Sequence, residues 1–135
     1  MINQINVGVI GTGWCGGIRA NACADNPLVD KLYIAETNSN RLKELKNSLN
    51  IEMATENWQE LINNKNIDTI IISATPETTH YPMALAALKA SKNVFLEKPI
   101  ATTLKEAEEL IDLSIKNNLK FTTVSYTHLT LPTKA

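Results

Sequence analysis

The most informative stretch of the chain lies near its beginning and reads Ile5-Asn6-Val7-Gly8-Val9-Ile10-Gly11-Thr12-Gly13-Trp14-Cys15-Gly16. Its first six residues are mostly apolar and β-branched, which is typical of a short buried strand. Glycines follow at once, and residues 18–24 have a composition that suits a helix, which Asn26-Pro27 then ends. The stretch therefore predicts a strand, a tight glycine turn and a helix, in that order.

Strands and helices are predicted to alternate along the rest of the chain. Further strands are predicted at residues 31–35, around 53, at 67–73, 93–96 and 120–124. Further helices are predicted after Asn38 or Ser39, at 58–62, at 81–90 and after a capping box at 103–106. The continuous aliphatic run at 67–73 is typical of a strand covered on both faces. We therefore predict an α/β fold: a doubly wound parallel sheet, the Rossmann fold.

Composition and charge argue against several classes of protein. The chain has 135 residues, 44% of them hydrophobic, and a net charge of -1, which fits one globular domain and gives no electrostatic basis for binding nucleic acid or a membrane. Cys15 and Cys23 are spaced neither as a metal pair nor as a redox pair, so no metal site and two free thiols are predicted. The N-terminus lacks a signal-peptide pattern, and the aliphatic runs are too short to span a bilayer. These observations predict a cytoplasmic protein.

The glycine stretch has the spacing Gly-x-Gly-x-x-Gly between a strand and a helix. Gly11 permits the tight turn, Gly13 lets the backbone approach a pyrophosphate, and Gly16 lets helix and strand pack closely. The N-terminus of the helix adds N–H groups and a partial positive charge. The loop is therefore predicted to bind a dinucleotide through Gly11, Thr12, Gly13, Trp14, Cys15 and Gly16.

An acidic residue stands where such a site requires one. Glu36 ends the second strand, twenty residues after Gly16. A carboxylate there can accept hydrogen bonds from both ribose hydroxyls and repels the 2′-phosphate of NADP. The nearest arginine, Arg41, is expected in the following helix. We therefore predict NAD as the cofactor, with NADP less favoured. The alternative is that Glu36 is simply a polar residue at a strand end.

Two loops at the carboxyl edge of the sheet, residues 74–80 and 97–99, are further candidates because ligands of open α/β sheets bind at this edge. Lys98 can approach a nicotinamide ring there and serve as a proton acceptor or an electrophilic stabiliser for a carbinol. Pro99 restricts Lys98 to extended conformations. From spacing alone, two plainer interpretations stay open. Lys98 can be a surface lysine, and His80 a hydrogen-bonding residue at a helix start.

Three motifs in this order resemble the Gfo/Idh/MocA oxidoreductases, a family named for glucose–fructose oxidoreductase and inositol dehydrogenase. They are Gly11-Thr12-Gly13, Ala74-Thr75-Pro76-Glu77-Thr78-Thr79-His80 and Glu97-Lys98-Pro99, with Ala84-Leu85-Ala86-Ala87-Leu88 between the last two. The resemblance covers about residues 3–124. It implies NAD(P)-dependent oxidation or reduction at a carbinol of a sugar, a cyclitol or a related polyol. It further implies that Lys98 is catalytic and lies beside the reacting carbon, and that Glu97, Thr75, Pro76 and His80 line the cofactor.

The resemblance also implies parts that this chain does not show. Family members carry a second domain, built on an open sheet, that forms the substrate pocket and the oligomer contacts. We therefore expect residues 1–124 to be the NAD(P)-binding domain of a truncated chain that is inactive alone, and the full-length protein to be a homo-oligomer. Residues 125–135 do not resemble the family's continuation and are expected to be a non-native or disordered tail. His128 within them is not expected to be catalytic.

Two alternatives to a sugar or polyol dehydrogenase stay open at this stage. The chain can be a stand-alone NAD-binding or regulatory module, which its length favours and its intact Glu97-Lys98-Pro99 opposes. It can also share the fold but catalyse another reaction, because relatives of the family include NAD-dependent glycosidases and bilin reductases.

Overall fold

The computed structural model describes residues 3–124, so the predicted tail at 125–135 lies outside the described residues. The strands are β1 (Ile5–Ile10), β2 (Val29–Ala35), β3 (Met53–Thr55), β4 (Thr69–Ile72), β5 (Asn93–Glu97) and β6 (Phe121–Val124). The helices are α1 (Trp14–Asp25), α2 (Ser39–Ser48), α3 (Trp58–Ile62), α4 (His80–Lys89) and α5 (Leu104–Lys116). A short 3-10 turn, Glu77–Thr79, leads into α4.

The six strands form one parallel sheet in the order β3-β2-β1-β4-β5-β6. β1 lies in the middle: Val7 is in register with Leu32 of β2 on one side and with Thr69 of β4 on the other. The chain winds outward from β1 in one direction and then, from β4, in the other. The gap between the carboxyl ends of β1 and β4 is therefore the topological switch point, where such sheets bind ligands.

Helices cover both faces of this sheet, as the prediction of a doubly wound fold requires. On one face α1 and α2 pack through Ala20, Leu42 and Leu45 against the side chains that β1 and β2 direct to that face. On the other face α3, α4 and α5 contribute a second core, with Leu61, Leu88 and Leu110 fully buried at its centre. The predicted Rossmann architecture is confirmed.

The first helix is longer than its sequence predicts. The pattern predicts a helix at 18–24, but α1 begins at Trp14 and includes Gly16 and Gly17. Because glycine is a poor helix former, propensity alone places the start of this helix too late. The other predicted bounds agree with the structure to within about two residues.

The predicted helix caps are present. Asn38 caps α2 by accepting a hydrogen bond from the backbone N–H of Arg41 at 3.0 Å. Thr103 caps α5 in the same way, accepting from Glu106 N–H at 3.2 Å. These side chains supply an acceptor to a helix start that has no partner of its own.

One apolar surface is left uncovered. Helix α5 buries Leu110, but Leu104 and Ile115 are 75% and 72% exposed.

Within residues 3–124, none of the helices combines the length and hydropathy that a bilayer crossing requires.

Candidate nucleotide-binding site

A cleft of about 1080 Å³ opens at the switch point, above the carboxyl ends of the central strands. Most of the residues predicted to hold a cofactor line it: Gly11, Thr12, Gly13, Trp14, Cys15, Glu36, Thr75, His80, Glu97 and Lys98. Gly16 and Pro76 are not among the lining residues. One cleft therefore collects the glycine loop, the acidic residue and both carboxyl-edge loops.

The glycine loop has the geometry that its spacing predicts. Gly11 has a φ of +87°, a left-handed conformation that other residues rarely adopt. A Cβ on Gly16 would lie 1.9 Å from the carbonyl oxygen of Gly11, so α1 packs directly on the turn. A Cβ on Gly13 would meet nothing within 4 Å. The position beside Gly13 is thus open, and the backbone there can be approached by a ligand.

Glu36 is held in place by backbone and side-chain donors. Its Oε1 accepts from Thr12 N–H at 2.8 Å and also from the Thr12 hydroxyl, and its Oε2 accepts from Asn38 N–H at 2.8 Å. A carboxylate has about four acceptor positions, so one on Oε2 is left for a ribose hydroxyl. Burial raises the pKa of Glu36, but the hydrogen bonds and the Arg41 charge outweigh it, and the pKa lies below its ordinary value of 4.5. Glu36 is therefore held as an anion.

Arg41 lies in α2, as expected, but its side chain reaches the cleft. Its Nε donates to the carbonyl of Thr12 at 3.1 Å, and its guanidinium lies over Gly17, where a Cβ would be 2.5 Å from Nη2. A cation therefore stands close to the Glu36 carboxylate. The argument for NAD that rested on the absence of a nearby arginine does not hold, and only the charge of Glu36 supports it.

His80 joins the two carboxyl-edge loops. It is 2% exposed, with Nδ1 2.7 Å from the carbonyl of Pro99 and Nε2 3.0 Å from the carbonyl of Ala74. A neutral imidazole can donate to only one of these oxygens, whereas the protonated ring donates to both. The Thr75–Pro76 and Lys98–Pro99 peptide bonds are both cis. These contacts match the plainer interpretation of His80 as a hydrogen-bonding residue.

Glu97 forms an ion pair with a residue that the sequence analysis did not single out. Its Oε2 accepts from Arg19 Nε at 3.0 Å and from Arg19 Nη2 at 2.7 Å. The Arg19 guanidinium lies 5.1 Å from the centre of the Phe95 ring. Lys98 is exposed to the cleft, and among residues 3–124 no carboxylate lies within ion-pair distance of it. Glu97 is thus paired with Arg19, while the Lys98 amine has no carboxylate partner in the described residues and can contact a ligand.

Two further observations indicate that the cleft fits a dinucleotide. Oγ of Ser73, at the cleft wall, is the one buried side-chain polar atom in the described part of the chain that has no hydrogen-bond partner. No side chain caps the N-terminus of α1, and its first turn contains no acidic residue. A bound pyrophosphate would fill the open space at Gly13. It would also accept hydrogen bonds from the unpartnered hydroxyl and from the uncapped helix start.

Both cysteines are free thiols, as predicted, and Cys15 belongs to the cleft wall. Within the described range, no three His, Cys, Asp or Glu side chains cluster in a way that could hold a metal ion.

Comparison with known proteins agrees with this geometry. Residues 5–126 match the sequence model of the Gfo/Idh/MocA proteins, described as an oxidoreductase family with an NAD-binding Rossmann fold. The chain belongs to the Gfo/Idh/MocA oxidoreductase family. Its motifs and its predicted fold class are those of this family's nucleotide-binding domain.

Named relatives show how much of a family member the chain represents. It is 33% identical over 111 residues to myo-inositol 2-dehydrogenase of Thermotoga maritima, covering 80% of this chain and 32% of the relative. The chain thus spans about a third of the length of this curated relative. The structure of myo-inositol 2-dehydrogenase from Lactobacillus plantarum matches with a TM-score of 0.85 at 28% identity, over 94% of this chain and 38% of that one.

A relative named for a different reaction has an equally similar fold. Biliverdin reductase from Synechocystis, solved with biliverdin and NADP+, matches with a TM-score of 0.86 at 26% identity, over 93% of this chain and 39% of that one. Family membership therefore establishes the nucleotide-binding domain of an oxidoreductase family, without choosing between NAD and NADP.

Sequence reasoning missed several residues of the cleft. Ser73 is predicted only as the end of a strand. Arg19, which contacts the cleft residue Glu97 without lining the cleft itself, is predicted only as part of a helix. Trp58 and Glu56 line the cleft although they follow a three-residue strand with no motif. Nothing in their spacing indicates the site, because each reaches it through the packing of distant elements.

Proposed function

We propose that this chain is the nucleotide-binding part of an NAD-dependent oxidoreductase that transfers a hydride at a carbinol of a sugar, a cyclitol or a related polyol. The observation that carries the proposal is the single cleft that joins the glycine loop and the anchored Glu36 to the Lys98 loop. The named inositol dehydrogenases among its relatives support the substrate class.

Each end of the cleft has a separate task in this proposal. The Gly13 backbone and the N-terminus of α1 hold the pyrophosphate, and Glu36 accepts a hydrogen bond from the adenosine ribose through its remaining position on Oε2. When bound, NAD supplies the ring carbon that accepts or returns the hydride. Lys98 hydrogen-bonds to the substrate carbinol oxygen and receives or returns its proton.

The preference for NAD over NADP is assigned to the charge of Glu36. The 2′-phosphate of NADP would bring a second anion next to a carboxylate that three donors already hold in place. Two like charges about 4 Å apart repel by about 1 kcal/mol even in water, and by more in a partly buried site. Arg41 already donates to the Thr12 carbonyl and to Glu44, so its charge offsets only part of this repulsion. Since about 1.4 kcal/mol is a factor of ten, we expect NADP to bind roughly tenfold more weakly.

Titration with NADH and NADPH, followed by tryptophan emission, tests this function. Trp14 and Trp58 both line the cleft, so a bound reduced nicotinamide nucleotide should quench them by energy transfer. We expect saturable quenching, with NADH bound roughly tenfold more tightly than NADPH. In Glu36→Gln the difference should fall below about threefold, because the repelling charge is gone.

Glu108→Gln is the matched control. Glu108 lies exposed on α5 and outside the cleft, so the same change of charge there should leave both affinities unchanged. The proposal fails if the folded chain gives no saturable response to either nucleotide. The assignment to Glu36 fails if Glu36→Gln keeps the full preference for NADH.

A further inference from the structure

The segment around Lys98 is fixed on both sides of that residue. The preceding residue, Glu97, is bound by Arg19 of α1 through two hydrogen bonds to one oxygen. The following residue, Pro99, has its carbonyl 2.7 Å from a ring nitrogen of the buried His80. The Lys98 side chain is the part of this segment that no ion pair holds within the described residues. The backbone is thus anchored while the amine is left for a ligand.

The Arg19–Glu97 pair is short and partly buried, although it lies beside a cleft. The two side chains are 23% and 13% exposed, and the shortest N–O distance is 2.7 Å. The Cζ atom of Arg19 lies over the Phe95 ring, 5.1 Å from its centre, which is within the range of a cation–π contact. An arginine suits this position because its planar fork can present two N–H groups to one carboxylate while stacking on an aromatic ring.

The same pair determines which cation Glu97 neutralises. Glu97 and Lys98 are adjacent in sequence, and both line the cleft, so without Arg19 the carboxylate would be free to pair with the lysine. A lysine held by a carboxylate is less able to take a proton from a substrate or to attack a reagent. By occupying Glu97, Arg19 keeps the Lys98 amine unpaired.

Arg19 also connects the two ends of the site. It stands on α1, whose first turn forms the helix start at the glycine loop, and it contacts the last residue of β5. This side chain therefore links the Lys98 segment directly to the helix that starts at the nucleotide loop.

We propose that Arg19 is a positioning residue, which holds Glu97 away from Lys98 and so keeps the lysine amine free and correctly placed beside the nucleotide. The inference rests on the proposed function for the meaning of Lys98, but its physical content concerns a contact within the chain. It can therefore be tested without nucleotide or substrate.

The test compares acetylation rates of individual lysines in the whole chain by N-hydroxysuccinimide acetate, quantified by mass spectrometry after chymotryptic digestion. The exposed Lys105 serves as the internal reference. In Arg19→Met the freed carboxylate should pair with Lys98 and slow its acetylation about threefold relative to Lys105. In the double variant Arg19→Met/Glu97→Gln the rate should return to that of the wild type, because no carboxylate is left to pair.

The rescue separates this role from a merely structural one. If Arg19 only supported the fold, removing its partner as well would not restore the reactivity of Lys98. Glu97→Gln alone should leave the rate at or above that of the wild type. If Arg19→Met does not fold by circular dichroism, Arg19→Lys, which keeps the charge and loses the fork, should give an intermediate rate.

Two results would overturn the proposal: an unchanged Lys98 rate in Arg19→Met, or a double variant as slow as the single one. If the wild-type chain does not bind NADH, the proposed function is contradicted. The acetylation rates of Lys98 would still test the role of Arg19, because they need no nucleotide.

Discussion

Replacing either of two glycines of the same loop by alanine should change a different property: stability in one case and nucleotide affinity in the other. A Cβ on Gly16 would lie 1.9 Å from Gly11 O and 2.8 Å from Gly11 C, both backbone atoms that cannot rotate away. To reach even 3.0 Å, α1 must move about 1 Å from the turn. A Cβ on Gly13 would have nothing within 4 Å. Gly16→Ala should therefore disturb the packing of α1 on the turn, whereas Gly13→Ala should occupy space that the ligand needs.

The magnitudes differ enough to be measured. Overpacking costs about 1–3 kcal/mol when side chains can yield. We expect at least the upper figure for backbone atoms, reduced by the roughly 1 kcal/mol that alanine gains over glycine in a helix. For 135 residues the unfolding entropy is about 0.28 kcal/mol/K, so each kcal/mol lowers Tm by about 3.5 °C. The Tm of Gly16→Ala should therefore fall by at least about 7 °C.

Gly13→Ala should keep its Tm within about 3 °C, because replacing glycine by alanine at a helix N-cap costs less than about 1 kcal/mol. Its NADH affinity should nevertheless fall at least about tenfold, because the methyl group occupies the space of the pyrophosphate. Thermal melts by circular dichroism and NADH titrations on both variants give the comparison. A Gly16→Ala protein that melts within about 2 °C of the wild type would refute the packing argument. A Gly13→Ala protein with unchanged NADH affinity would refute the ligand argument.

Three further predictions concern groups that hold the structure together. Because the folded pKa of Glu36 is lowered, its stabilising effect is present above its ordinary pKa of 4.5 and is lost as the pH falls through the folded value. The Tm gap between wild type and Glu36→Gln should therefore close in melts taken from pH 7 down to 3, and a gap independent of pH would contradict this. Thr12→Val removes a buried hydroxyl donor to Glu36 and should cost about 1–2 kcal/mol in urea unfolding, whereas the exposed Thr37→Val should cost nothing measurable. Lys92→Met leaves two carbonyls that Lys92 Nζ contacts at 2.8 Å without their donor, and should cost about 2 kcal/mol by the same assay; a loss no larger than that of Lys105→Met would show that the contacts contribute nothing.

Local patterns in the sequence were sufficient for the fold. The aliphatic run at 67–73 predicts a strand buried on both faces, and β4 pairs with β1 and β5 in the middle of a parallel sheet. The spacing of the glycines predicts both the turn at Gly11 and the close contact at Gly16. These features depend on residues that are close together in the sequence, so a single sequence is enough to predict them.

The contacts that complete the site could not be predicted in this way. Thr12 and Glu36 are 24 residues apart, and Arg19 and Glu97 are 78 apart. Such pairs depend on how two packed elements aim their side chains, for which spacing gives no rule. Arg41 shows the limit well, because its helix was predicted correctly while the reach of its side chain to Thr12 was not.

The strand order also governs what happens while the chain is being synthesised. Of the six described strands, β1 precedes the others in the chain, yet Val7 must wait for Thr69 before its second neighbour exists. A ribosome that adds about 5–20 residues per second needs about 3 to 12 s to deliver that partner. During this delay the apolar β1 presents an unpaired edge to other nascent chains and to chaperones. Of the described strands, a central one thus waits longest for its last neighbour.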